Sequence, residues 1–269
     1  MGQRLAPIVF QPPLSTYDNQ TWRHGRREVK LHWIQTGRSH RMPAHFISTH
    51  GAHFTLLFSH GNAEDLGLIR ASFADLAADL HVNVLLYEYR GYGLHRGDFP
   101  QESAVYEDIE SAFKYARDTL KIPWQRVIAW GRSIGTAPSM HLASRTAVRG
   151  LILQSPMMSI FRIPFRLRFT LPGDRFCNID KVRDVCCPAL VIHGTQDEIV
   201  PCWHGHKMFQ AIDKRVPGCD AFIIKGADHN NLETQAEPIF NGRLRAFLQG
   251  LKDAEPSEKL VSQAESSRI

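Results

Sequence analysis

The chain has 269 residues, of which 43% are hydrophobic and 22% charged, and a formal net charge of +5. This is globular composition, long enough for one large α/β domain with a substantial core, and too weakly basic for a nucleic-acid binder. No run of about 18 apolar residues occurs, which excludes a membrane-spanning helix.

The five cysteines (Cys177, Cys186, Cys187, Cys202 and Cys219) are odd in number and show no C-x-x-C spacing. They argue against a disulfide framework and for a reducing compartment, with most of them expected as small buried hydrophobes.

Residues 1–24 read as a polar, proline-bearing extension in which Phe10, Pro12, Pro13 and Tyr17 are the expected anchors. Gly2 stands in place for N-myristoylation, although Ala6 occupies the position where Ser or Thr is usual. The alternating stretch Glu28 to Thr36 and the following Ala44 to Ser48 predict an antiparallel hairpin at a sheet edge. Phe54 to Phe58 is continuously apolar, as in a strand covered on both faces. Helical and strand patterns then alternate. Helices are predicted over 66–80, 102–120, 136–145, 203–212 and 233–248. Strands are predicted over 82–87, 127–130, 149–154, 189–193 and 219–224. Strict alternation implies a mostly parallel, doubly wound sheet over residues 25–251, with chemistry at the carboxyl ends of its strands. Residues 157–180 interrupt the pattern. They carry Met157, Met158, Phe161, Phe165, Phe169 and Phe176 among Arg162, Arg166 and Arg168, and read as an ordered lid. The Ser/Glu-rich tail, 252–269, is expected to be disordered.

The segment Gly131-Arg-Ser-Ile-Gly135 joins a β-branched strand to a helix. A serine flanked by two glycines at that junction is a nucleophile elbow, in which a strained turn lifts Ser133 out of the sheet. Such a serine needs a base and a group to orient it, both in loops after later strands, the acid first. Strand 189–193 is followed by Gly194-Thr-Gln-Asp197, and strand 219–224 by Lys225-Gly-Ala-Asp-His229. Ser133, His229 and Asp197 thus form the expected triad, with Glu198 and Asp228 displaced by one from the same slots. The oxyanion donors expected are the N–H groups of Ile134, at the start of the helix, and of Asn62, in the loop His60-Gly-Asn-Ala63; Ala63 is the alternative to Asn62. His60 reads as a brace of that loop, and Tyr89 to Gly93 as a second turn supporting it. No phosphate-binding loop, dinucleotide fingerprint or H-E-x-x-H appears, and His204 and His206 point to opposite sides of their helix. No metal and no cofactor are expected.

Leu56-Leu-Phe-Ser-His-Gly-Asn-Ala63, Asp65-Leu-Gly67, Gly131-Arg-Ser-Ile-Gly-Thr136, His193-Gly-Thr-Gln-Asp-Glu198 and Gly226-Ala-Asp-His-Asn230 resemble the α/β-hydrolase domain-containing protein 17 family. Phe10-Gln-Pro-Pro-Leu-Ser-Thr-Tyr17 is similar to a segment ahead of that family's hydrolase domain. The resemblance implies an α/β-hydrolase fold and a serine hydrolase that removes palmitate from S-acylated proteins, with Ser133, Asp197 and His229 as triad. It also marks two departures. The family's cysteine-rich, palmitoylated start has no counterpart before Cys177, and Arg132 stands where the family usually has Gln.

The reaction expected is acyl transfer to Ser133, with a thioester substrate by resemblance only. The insertion's apolar side chains, Phe161 and Phe165 among them, would wall an acyl chain, and its arginines would meet phospholipid headgroups; equally, the aromatics would simply pack the insertion. A lipid or small-ester carboxylesterase and a non-catalytic binding protein on the hydrolase scaffold are the rival readings. The expected partners are S-acylated proteins or lipid esters, and the expected location is cytoplasmic with peripheral membrane contact.

Overall fold

The computed structural model describes residues 9–266 except 26, 38, 96–98 and 166. Gly2 and Arg166 therefore lie outside the described residues. Alternating strands and helices assemble into one eight-stranded sheet. Its strands are β3 (Leu31–Thr36), β4 (His40–Ile47), β5 (Thr55–Ser59), β6 (Asn83–Tyr87), β7 (Val127–Arg132), β8 (Gly150–Gln154), β9 (Ala189–Gly194) and β10 (Asp220–Ile224). They lie in the order β10-β9-β8-β7-β5-β6-β4-β3. From β6 to β10 all neighbours are parallel, while β4 runs antiparallel to both β3 and β6. The β3–β4 hairpin is the predicted edge element, with Leu31 opposite His45 and Thr36 opposite His40. A second, small ribbon of β1 (Trp22–His24) and β2 (Arg27–Val29) precedes it. It absorbs the start of the stretch expected to be one strand from Glu28.

Because successive strand residues face opposite ways, the sheet divides two cores. Leu57, Ala129, Leu151 and Val191 belong to one face. Leu56, Phe58, Ile128 and Trp130 belong to the other. The first face is covered by α2 (Glu102–Lys114), α3 (Thr136–Arg145) and α5 (Trp203–Asp213), and the second by α1 (Leu66–Leu80) and α7 (Ile239–Asp253). The short α4 (Asn178–Lys181) ends the insertion. Asp65 starts α1 by accepting the Leu68 N–H at 3.1 Å, and His81 ends it in the left-handed region at φ 55°.

Three expectations change in detail. The predicted helix 102–120 widens after Lys114 into a π turn, Tyr115–Thr119. The predicted helix 233–248 is two helices, α6 (Leu232–Gln235) and α7, separated where Pro238 has no N–H to offer. The tail is not disordered throughout: Glu258–Ser266 forms α8. Its one aliphatic anchor, Leu260, is fully buried, and Gln263 Nε2 donates to the carbonyls of Ala143 (3.2 Å) and Asp184 (3.1 Å).

Candidate active site

The central strand β7 delivers the nucleophile candidate. Val127 to Gly131 are all buried, and the chain then turns sharply, with Ser133 at φ 54°. A non-glycine residue held there costs on the order of 1–3 kcal/mol and persists only where its surroundings over-determine it. The surroundings here are backbone. A Cβ on Gly131 would run into the Gly135 carbonyl, and one on Gly135 into the Ser59 carbonyl of β5. Ser133–Gly135 form a single 3-10 turn that continues into α3, so Ile134 sits at the head of that helical run.

Two loops at the carboxyl ends of β9 and β10 meet beside it. Thr195 N–H donates to Ile224 O (3.0 Å) and Gln196 N–H to Ala227 O (2.9 Å), and Gly194 lacks the Cβ that would strike Ala227 O. His229 Nε2 lies 2.9 Å from Ser133 Oγ, and His229 Nδ1 lies 2.8 Å from Asp197 Oδ2. The other carboxylate oxygen, Oδ1, accepts the N–H groups of Val200 (2.7 Å) and Ile199 (3.1 Å). Burial alone would raise the Asp197 carboxyl, but hydrogen bonds from His193 and His229, the charge of His229 and the Val200 N–H hold it well below the usual carboxylate range. The neighbouring acids play other parts. Glu198 is exposed, and Asp228 accepts the N–H groups of Asn230 (2.7 Å) and Asn231 (3.1 Å) in its own turn. His193 is a partner that the linear pattern does not reveal, since its Nε2 reaches Asp197 Oδ2 at 3.2 Å from inside β9.

The loop after β5 is fixed from several sides. The Asn62 carboxamide is clasped by Val9 O, which accepts from Nδ2 (2.9 Å), and by Gln11 N–H (2.9 Å) and Tyr92 OH (2.7 Å), which donate to Oδ1. His60 is fully buried and ion-paired with Glu88 at 2.9 Å, while its Nδ1 faces Gly61 O at 2.8 Å. Burial would lower its pKa, but the hydrogen bond and charge of Glu88 and the Gly61 carbonyl carry it above the ordinary histidine value. His60 thus braces the loop from within the core. Tyr17 OH donates to Glu88 Oε2 (2.8 Å) and Thr16 N–H to Asp65 Oδ2 (2.7 Å). Residues 9–17 therefore form a strap over this loop, so this part of the extension packs onto the sheet domain. The signal was present in Phe10 and Tyr17, both buried, but what they anchor to is not legible from a chain segment alone.

The insertion splits its apolar residues. Met157, Met158 and Phe176 are buried in the core, Phe161 is half-buried, and Phe165 and Phe169 are exposed. Arg162 does not face outward with Arg168. Its guanidinium is buried, donating to Ser159 Oγ (3.2 Å), Thr170 Oγ1 (3.1 Å) and Leu167 O (3.3 Å), so it holds the insertion together. Of the cysteines, all free, only Cys187 is buried and four are half-buried. His204 is buried and accepts the Met158 N–H at 3.0 Å, while His206 is exposed. No metal-holding cluster of His, Cys, Asp or Glu occurs among the described residues.

The description "Serine aminopeptidase, S33" fits residues 51–171 at the level of protein families, and "Prolyl oligopeptidase family" fits residues 174–252. The Caenorhabditis elegans alpha/beta hydrolase domain-containing protein aho-3 is 36% identical, over 91% of this chain and 77% of its own length. Human alpha/beta hydrolase domain-containing protein 17B is 33% identical, over 92% of this chain and 91% of its own. Among solved structures, a Pyrococcus furiosus esterase superposes with a TM-score of 0.71 at 16% identity, covering 89% of this chain and 97% of its own, a likeness of fold.

Proposed function

Since this chain belongs to the α/β-hydrolase domain-containing protein 17 family, we propose that it is a serine hydrolase cleaving acyl thioesters, palmitoyl groups on S-acylated proteins foremost. The observation that carries the reading is the unbroken chain from Ser133 Oγ to His229 (2.9 Å) and from His229 to Asp197 (2.8 Å). His229 Nε2 would take the Ser133 proton as the hydroxyl attacks the acyl carbon. Asp197, kept ionised, would hold the ring in the tautomer with Nδ1 protonated and stabilise the imidazolium. The N–H groups of Ile134 and Asn62 would receive the tetrahedral oxyanion, each such donor being worth about 2.7–4 kcal/mol. His229 then returns the proton to the leaving thiolate, and water, activated by the same imidazole, releases the acid from Ser133.

Phe161 and Phe165 would flank the acyl chain. No helix of the described residues is long and apolar enough to cross a membrane, so contact with a lipid surface would be peripheral, through exposed Phe165, Phe169 and Arg168. A carboxylesterase acting on lipid or small esters is the runner-up, because the same groups serve an alkoxide leaving group as well as a thiolate. The intact hydrogen-bond chain speaks against a non-catalytic binding role.

The deciding experiment is fluorophosphonate labelling of the protein and of Ser133→Ala, followed by turnover of thioester and oxyester substrates of matched acyl length. Labelling and turnover in wild type alone, with the palmitoyl thioester preferred, is the expected result. Preference for the oxyester would favour the runner-up, and a folded wild type that neither labels nor turns over would favour the binding role.

A further inference from the structure

The loop that is to receive an oxyanion contains a carboxylate. Glu64 Oε2 accepts the Gly61 N–H at 2.6 Å, closing the turn that carries Asn62 and Ala63. Its other oxygen, Oε1, accepts from Arg132 Nη1 at 2.7 Å, and the two side chains are only 19% and 21% exposed. Arg132 is the last residue of β7 and the neighbour of Ser133. One carboxylate therefore ties together the two segments that carry the oxyanion donors, although they lie 68 positions apart in the chain. Gly61 is shaped for this closure: a Cβ there would come to 2.8 Å from Glu64 Oε2.

The pair has a geometric and an electrostatic side. Geometrically, the Glu64 bridge spends the Gly61 amide on the turn and thereby sets the direction of the next two amides. Electrostatically, an unpaired carboxylate beside a forming oxyanion opposes it, and screening is weak where both groups are mostly covered. Arg132 removes that opposition. We propose that Glu64 and Arg132 are a positioning pair for the oxyanion loop, Glu64 shaping the turn and Arg132 fastening it to the nucleophile strand while cancelling its charge. This rests on the hydrolase reading above. It distinguishes the pair from an ordinary surface ion pair, which would contribute at most modestly to stability and nothing to turnover.

The test is a double-mutant cycle on the full chain: Arg132→Gln, Glu64→Gln and both together, with kcat and KM for a short acyl ester measured separately and unfolding temperatures recorded alongside. Arg132→Gln leaves the carboxylate bare and is expected to lower kcat roughly 30-fold, with KM within about twofold. Glu64→Gln is expected to lose about fivefold. The double variant, neutral and still able to hydrogen-bond, is expected to remain within about fivefold of wild type, so that adding the second change restores activity. Arg132→Lys, which keeps the charge, is expected to stay within about threefold. Equal kcat in Arg132→Gln and the double variant, or a wild-type kcat with only a lowered unfolding temperature, would overturn the proposal. Should Arg132→Gln fail to fold, Arg132→Lys and Glu64→Gln decide, and Glu64→Gln at wild-type kcat overturns it. A wild type that neither labels nor turns over would defeat the hydrolase reading and this role with it, whereas an active wild type with flat variants defeats the pair alone.

Discussion

At the elbow, Ser133 is held at φ 54° between two glycines whose missing side chains make room for backbone carbonyls, behind a strand buried from Val127 to Gly131. In the 157–180 insertion, Phe165 and Phe169 are 61% and 64% exposed, and a Cβ on Gly173 would meet nothing within 4 Å. The first region is set by main chain against main chain, which no side-chain rearrangement can relax. The second is pinned by Phe176 and by the buried Arg162, and exposes Phe165, Phe169 and Gly173 between those points. The comparison separates two jobs. On the proposed function, the bond-making groups would sit where the backbone leaves no freedom, and the groups proposed to meet an acyl chain or a lipid surface would sit where sequence and conformation can vary at low cost.

The comparison is broken most severely at the proposed triad. Asp197→Asn keeps the shape but reverses the tautomer preference of His229, and turnover is expected to fall about 10⁴-fold with the fold intact, measured as kcat against circular dichroism. Next comes a matched pair of glycines. Gly135→Ala forces a methyl onto the Ser59 carbonyl and is expected to cost more than about 3 kcal/mol in urea unfolding, whereas Gly173→Ala, at φ 85° in open space, is expected to cost only about 1 kcal/mol of backbone strain. Equal losses in the two would erase the distinction.

Acid sharpens it at the insertion's root, where His204 holds Met158, with His45 of β4 as a second buried imidazole away from the insertion. Burial pushes the His204 and His45 imidazoles down to about 4. Both are neutral in the folded protein, while the unfolded chain protonates them near 6.5, so their contribution is complete above that pH and is lost as pH falls toward 4. Each is expected to remove about 2 kcal/mol between pH 7 and pH 5, read as a fall in urea midpoint. His60, shifted upward, works in the opposite sense and tempers the fall. His204→Asn keeps an acceptor for Met158 and should remove about half of the decline. Smallest of all is Phe165→Ala. Stability should change by less than about 0.5 kcal/mol, while KM for a long-chain acyl substrate rises a few-fold at constant kcat.

What the linear pattern revealed follows the same division. The strand-helix alternation gave the sheet, and α1 falls on its predicted bounds because Asp65 caps it and His81 ends it. The Gly-x-Ser-x-Gly spacing is a backbone signature, so the φ of Ser133 could be anticipated. Contacts between distant segments could not. Nothing local in Glu64 announces Arg132, nothing in His193 announces Asp197, and the Ser/Glu content of the tail conceals the single Leu260 that docks α8. Arg162 was misplaced for the same reason: an arginine among aromatics looks like a surface group until its three acceptors come from its own loop.

The strap of residues 9–17 changes what counts as the smallest useful version of this protein. A truncation beginning at β1 would retain every strand of the large sheet and could still unfold cooperatively. It would also release the Asn62 carboxamide from Val9 and Gln11 and strip Glu88 of the Tyr17 hydroxyl. Foldability and competence would then have different amino-terminal limits, and a shortened variant chosen for expression would be selected blind to the loss.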